Sequence, residues 1–218
     1  PLTAFSDRCE IVVHGKAAHS SEPQDGVDAV YIAASIIVAL NTLVPKNLSP
    51  MEHSTLNMGM ISGGTVLNVI TDRVELHGMM RNAESHTRGI MMEKIRSLSE
   101  GIALAMGGSC DVRFDEGSAS VINDKALAGQ VISIMEKNAD TLYKGYPISA
   151  PYPEIVTGDL LRLASEDFGF YSQKVKTCYI MMGTGEGAPV HNPGFKVDEA
   201  YIKLATRTMA AVALDYLR

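Results

Sequence analysis

The chain has 218 residues, 46% of them hydrophobic and 20% charged, with a formal net charge of -6 at pH 7. That length suits one large domain or two small ones, and no apolar run is long enough to span a bilayer. The acidic balance, with no sustained Lys/Arg cluster, leaves no electrostatic footprint for nucleic acid or anionic lipid, so neither nucleic acid nor membrane is expected as a partner.

Along the chain, Cys9, Ile11 and Val13 alternate with Glu10, Val12 and His14, the period-two pattern of a strand with one face inward. Asp25 is expected to cap a helix whose unusually apolar body, VYIAASIIVAL, runs until Pro45 stops it. Thr55 to Ile61 and Arg73 to Arg81 read as two strands separated by a Gly63-Gly64 break. In the second, Val74, Leu76 and Met80 share one face, while Glu75, His77, Met79 and Arg81 share the other. Ile95, Leu98, Ile102 and Ala105 recur at helical spacing until Gly107-Gly108 supplies a stop, and Cys110, Val112 and Phe114 mark a fourth strand.

Strand, helix, strand, strand, helix, strand is the order of the ferredoxin-like split unit, a four-stranded antiparallel sheet with both helices on one face. The reading gives an α/β (α+β) fold in which residues 7–118 form this domain. Its free sheet edges have to be covered or paired, as in a dimer.

Residues 119–218, with 1–6 as the incoming connection, are read as part of a second domain. Asp124 to Leu142 and Asp198 to Leu217 are expected to be helical, Leu160 to Ala164 and Phe168 to Gln173 to be short helices, and the segment with Pro147, Pro151 and Pro153 to be a loop. Lys176 to Met182 is the one convincing strand, and one strand cannot make a sheet. The chain also opens PLTAFSDRCEIVV, without Met and with almost no residues before the first strand. Together these features predict that polypeptide upstream of Pro1 belongs to the natural protein. Cys9, Cys110 and Cys178 are odd in number and widely spaced among apolar neighbours, which suits reduced thiols and a cytoplasmic compartment.

Five residues are candidates for chemistry. His191, in GTGEGAPVHNPGF, sits on a glycine-rich loop expected just after the Lys176 to Met182 strand, where α/β sheets bind ligands or metals. His19, in GKAAHSSEPQDGVDA, sits in a turn shaped by Gly15, Pro23 and Gly26, where an imidazole can stabilise a developing oxyanion. Asn68 and Arg81 offer an amide and a planar guanidinium that suit a carboxylate or carbonyl. Glu166, in ASEDFGF, lies in a capping pattern at a helix start. On spacing alone the commoner readings are exposed loop histidines, a turn Asn, an Arg on the open sheet face and a plain cap. Gly183, Gly185 and Gly187 lack the spacing and Lys of a phosphate loop, and His14, His53, His77 and His86 show no metal-ligand pattern.

In order, GKAAHSSEPQDGVDA, GGTVLNVITD, LHGMMR, SEDF and MGTGEGAPVHNPGF resemble the metal-dependent amidohydrolases and carboxypeptidases that include aminoacylase, carboxypeptidase G and hippurate hydrolase. SEDF and HNPGF are most similar to the hippurate and auxin-conjugate hydrolase branch. The resemblance implies a dimerisation domain inserted into a zinc-peptidase-like α/β catalytic domain, a homodimer through the ferredoxin-like domain, and hydrolysis of N-acyl amino acids.

It further implies that His191 is the last ligand of a site for two divalent metal ions, with zinc, manganese or cobalt open. His19 would reach the neighbouring subunit's active site and polarise the scissile carbonyl. Asn68 and Arg81 would grip the substrate, Arg81 by its free carboxylate, and Glu166 would hold a supporting place near the metals. Two departures stand out: Thr71 occupies a position where the family usually has Pro, and Met79-Met80 stand where smaller residues are usual. The family's amino-terminal metal ligands and catalytic Glu-Glu pair have no counterpart, so the chain alone is expected to hold no metal and not to catalyse. The alternative is a non-catalytic dimerisation or small-molecule-binding module.

Overall fold

The computed structural model describes residues 1–145, 155–158, 160–184 and 187–218. Pro147, Pro151, Pro153 and Gly185 lie outside the described residues. The chain divides into two compact units, 1–122 with 161–174 and 123–160 with 175–218.

The first unit is built on β1 (Phe5–His14), the two-residue β2 (Ala18–His19), α1 (Ala29–Leu40), α2 (Leu43–Asn47), β3 (Ser54–Gly63), the two-residue β4 (Val69–Ile70), β5 (Arg73–Asn82), α3 (Ser85–Ala105) and β6 (Ser109–Glu116). The main sheet has the order β3-β5-β1-β6, every pair antiparallel. That is the ferredoxin-like topology the alternating pattern predicts, with the first strand at the centre beside the third and fourth.

Alternation explains the core. Cys9, Ile11 and Val13 of β1 and Val74, Leu76 and Met80 of β5 point to one face. There they meet Ile32, Ile36 and Leu40 of α1 and Met91 and Ile95 of α3. Asp7 is almost fully buried on the same face, paired by both carboxylate oxygens with the guanidinium of Arg88 on α3 at 2.8 and 2.9 Å. Arg88 also stacks over the Phe5 ring, and the two-point pair with Asp7 pushes its guanidinium pKa further up. The opposite sheet face is polar: His14 meets Asp111 at 3.0 Å, and Arg73 and then His77 hold the Glu75 carboxyl below the usual carboxylate range.

Several local expectations are corrected. Asp28, not Asp25, caps α1, its side chain accepting from the Val30 and Tyr31 N–H groups. Pro23–Asp25 forms a separate 3-10 turn, and the bridge between Lys16 and Val27 keeps the chain extended until Asp28. Nor does α1 run to Pro45: it ends at Leu40, and Pro45 sits in the first turn of α2. A proline ring clashes with the carbonyl four residues before it, so a continuous helix must break upstream, while in a first turn the missing N–H costs nothing.

The buried stripe of α3 is Thr87, Met91, Ile95, Ser99 and Ala103, with Leu98 and Ile102 flanking it and Ala105 exposed. Two polar residues interrupt this stripe, which shifted the apolar count by one position. Gly107 ends the helix as expected: at φ +84° it lets Gly108 N–H reach the Ala103 carbonyl at 2.9 Å and its own N–H reach Leu104 at 3.0 Å.

Residues 160–164 are not helical. Arg162 N–H donates to Leu2, and Ala4 N–H donates to Ala164, both at 3.0 Å, so this stretch is held by the amino-terminal segment rather than by its own turn. After it comes α6 (Gly169–Ser172).

In the second unit, α4 (Lys125–Lys137), α5 (Ala139–Leu142) and α7 (Glu199–Tyr216) are helical, α4 and α7 capped by Asp124 and Asp198. Among its described residues, Val131, Ile134, Leu142 and Leu204 are the buried apolar side chains. The expected strand at 176–182 is not assigned as one. Among the described residues no strand runs beside it. The segment is tied to the start of α4: Asp124 N–H donates to the Thr177 carbonyl at 2.9 Å, and the Asn123 amide accepts from Tyr179 N–H at 2.8 Å and donates to its carbonyl at 2.9 Å. All three cysteines are free, and burial pushes the Cys9 thiol up to about 12 and Cys110 to about 11. No described helix is long and apolar enough to cross a membrane.

Candidate functional site

Two loops are stitched together at one end of the sheet. Where β1 ends, Gly15 N–H donates to the Asp72 carbonyl at 2.7 Å, and Lys16 and Val27 exchange backbone bonds at 2.8 and 2.9 Å. A side chain at Gly15 would collide with the Val27 carbonyl, so the turn requires glycine. Further along, Ala18 and His19 pair with Ile70 and Val69. Ser20 N–H donates to the Asn68 carbonyl at 3.0 Å, and Ala29 N–H to the Thr71 carbonyl at 2.9 Å. Gly64, at φ +83°, turns the second loop. His19 and Asn68 are thereby neighbours on an exposed two-strand clip.

The His19 ring is oriented by Ser21. Its Nδ1 lies 2.7 Å from the Ser21 hydroxyl and accepts from the Ser21 N–H at 3.2 Å. A backbone N–H can only donate, so in the neutral ring the proton resides on Nε2. That leaves Nε2–H as the ring's donor, the form that can bond to a carbonyl oxygen. Ser21 is a residue that sequence reasoning passed over. A serine two positions after a loop histidine was the available signal.

Arg81 lies elsewhere. It pairs with Ser6 and Thr55 on the main sheet, and its guanidinium donates to the Leu163 carbonyl at 2.9 Å. β5 begins beside the clip at Arg73, and eight residues at roughly 3.3 Å each carry Arg81 about 26 Å along the strand. Glu166 follows Leu163 in the same segment, where its carboxylate accepts from Phe168 N–H at 3.3 Å and its carbonyl from Gly169 N–H at 3.1 Å. The capping pattern of ASEDFGF is not realised as a side-chain cap: the N-cap of α6 is Phe168, and the Glu166 carboxylate bonds one residue ahead of the helix.

His191, in the second unit, is exposed and has φ 68°, the single described residue other than glycine with positive φ. It sits in a tight turn in which Asn192 N–H donates to Pro189 at 3.1 Å and Gly194 N–H to the Asn192 side chain at 2.8 Å. A left-handed histidine is a strained conformation of the kind concentrated at functional sites. The strand expected just before it is the one corrected above.

A metal centre needs several converging donors, usually at least three from the protein. Among the described residues no group of three or more His, Cys, Asp or Glu could hold a metal ion. The described donors do not fit a two-metal centre by themselves.

Comparison with known proteins bears on the whole chain. Residues 6–105 match the family model of the peptidase dimerisation domain. N-acetyl-L-cysteine deacetylase of Bacillus subtilis is 30% identical over 203 residues, covering 93% of this chain and 45% of the relative. N-acetyldiaminopimelate deacetylase of Leuconostoc mesenteroides is 32% identical over 200 residues, covering 91% and 49%. The chain thus spans about half the length of the curated relatives it matches. The Bacillus subtilis YXEP protein, a dinuclear metal-binding peptidase of the M20 family, shares the fold with a TM-score of 0.74 at 24% identity, over 98% of this chain and 51% of that one. The chain therefore carries, over residues 6–105, the peptidase dimerisation domain of the M20 amidohydrolases and peptidases, the family its ordered motifs resemble.

Proposed function

We propose that this chain is the carboxyl-terminal portion of a dimeric, metal-dependent amidohydrolase that cleaves the amide bond of N-acyl amino acids. Residues 7–118 would be its dimerisation domain, and 119–218, with 1–6, part of its catalytic domain. The observation that carries this reading is the split of the substrate-binding groups. His19 and Asn68 share one clip, while Arg81 lies about 26 Å along β5, farther than a small N-acyl amino acid extends.

One copy cannot bring both sets to a single substrate, and a second copy supplies what is missing. His19 Nε2–H would donate to the scissile carbonyl and stabilise the oxyanion as it develops, with Asn68 holding the substrate beside it. Arg81 of the other copy would grip the free carboxylate with parallel hydrogen bonds.

The sheet edges support a homodimer. β6 is guarded by Asp111, Arg113, Asp115 and Glu116, whereas β3 carries no charged residue over its ten positions. Nor does α1, which leaves Val30, Tyr31, Ala34 and Val38 exposed. An uncharged edge and helix face suit a self-complementary contact with a second copy.

His191 is the proposed metal ligand, supported by its strained backbone, and Glu166 a supporting residue. The deacetylase relatives favour N-acyl amino acids as substrates, and the YXEP likeness favours a paired-metal cofactor. Zinc, manganese and cobalt all suit nitrogen and oxygen donors. Three free thiols fit a reducing, cytoplasmic location. The non-catalytic module is favoured by one observation, the lack of a metal-holding cluster among the described residues.

Mixed dimers decide. The full-length enzyme carrying His19→Ala and that carrying Arg81→Ala should each be nearly inactive. When the two are dissociated and reassociated, half the dimers pair one of each, so about a quarter of wild-type activity should return. Failure to recover activity while mixed dimers form would sink the shared site, and a metal-free, inert full-length protein would favour the module.

A further inference from the structure

The clip carries more than His19 and Asn68. Val66 and Leu67 form its tip, and Leu67 is 105% exposed, touching nothing in its own copy, with Val66 at 56% and Val69 at 38%. Around them stand polar residues: Thr65, Asn68, His19 and Ser20, all exposed. Scattered exposed leucines need no explanation, but an apolar run rimmed by polar groups on a loop tip is a feature of contact sites. The loop could not fold it inward, because Gly64 and the pairing of Val69 with His19 fix both of its ends.

We infer that Leu67 determines specificity by contacting the apolar acyl group of the substrate bound at the partner copy's site. This rests on the functional reading above. In that reading His19 takes the carbonyl with Asn68 beside it and Arg81 takes the free carboxylate, so the acyl group is the part left without a contact. Leu67 adjoins Asn68 on the tip that presents His19, and it is the large apolar side chain there with no contact of its own.

The experiment measures kcat/KM of the full-length enzyme and its Leu67→Ser and Leu67→Met variants on N-acetyl, N-octanoyl and N-benzoyl forms of one amino acid. Leu67→Ser should lower the values for the octanoyl and benzoyl substrates about tenfold or more relative to acetyl, as lost apolar pocket contacts do. Leu67→Met, which keeps the volume, should restore the wild-type ratio. Thermal stability should not move, since the side chain packs against nothing in its own copy. An equal loss on all three substrates, a dimer that dissociates in sedimentation, or an unchanged ratio would each overturn the role of Leu67 while leaving the functional reading intact. A wild-type enzyme that hydrolyses none of the three would sink the functional reading and this inference with it.

Discussion

The two ends of the main sheet are built for different work. At the clip end, β2 and β4 are two residues each, their side chains are largely exposed, and backbone bonds to Gly15, Ser20 and Ala29 hold the loops. At the Arg81 end, Asp7, Asn82 and Thr87 are buried, Arg88 bridges two layers, and Arg81 is tied to the 161–174 segment. A polar group presented on a thin, backbone-stitched clip can enter another molecule's site. One set among packed layers can only serve as a fixed anchor. The contrast is what the proposed shared site requires: a group presented outward at one end of β5 and a group held in place at the other.

Function should expose the contrast most strongly. In the full-length enzyme, His19→Ala is expected to lower turnover by about 10²–10³-fold, the range for removing one oxyanion-stabilising hydrogen-bond donor, with bound metal unchanged by elemental analysis. His191→Ala should reverse the pattern and lose metal first. Loss of metal in the His19 variant would end its assignment to the clip's reach across the dimer.

Stability should be most sensitive at the anchor end. Arg88→Ala leaves the Asp7 carboxylate, 1% exposed, without its partner, and should cost about 3–5 kcal/mol in denaturant melts. Removing the cap at the other end is milder: Asp28→Ala should cost about 1 kcal/mol, because it releases the Val30 and Tyr31 N–H groups at an accessible helix start. Comparable losses from the two substitutions would erase the distinction between clip and anchor.

A test by pH has an effect that is small just above pH 9 and grows toward pH 12. The Cys9 thiol, raised from 9.0 to about 12 by burial, stays protonated in the folded protein after the unfolded chain has lost its proton. A group raised on folding contributes its stability below the unfolded value, so stability should be complete below about pH 9 and decline as pH rises toward 12. Denaturant midpoints on either side of pH 9 test this, with Cys9→Ala as the control that should lessen the slope, leaving the part due to Cys110 and Cys178.

The two units also differ in how readable they were. In the first, alternation along β1 and β5 led directly to the buried faces, because a half-buried sheet imposes period two on its residues. Pro45 and Asp25 misled at the margins, since a proline acts four residues upstream of itself and a bridge between Lys16 and Val27 is invisible in a local window. In the second unit the apolar run at 176–182 reads as a strand, but a strand exists only beside a partner strand, and none is assigned beside it among the described residues. The candidate site divides in the same way. The residue types at positions 19, 68, 81 and 191 could be picked out by loop context and motif order, whereas the spacing of Ser21 from His19 was only a weak signal and the exposure of Leu67 has no sequence pattern.

The sequence by itself determined the ferredoxin-like order of elements, the buried faces of its strands and the chemical character of the candidate groups, because periodicity and side-chain chemistry are local properties. Tertiary structure alone decided that Ser21 orients the His19 ring, that Leu67 stands free at the clip, and that Arg81 lies at the far end of β5 from both. Those are distances across the fold, set by which strands pair and in what register, and no stretch of chain contains them.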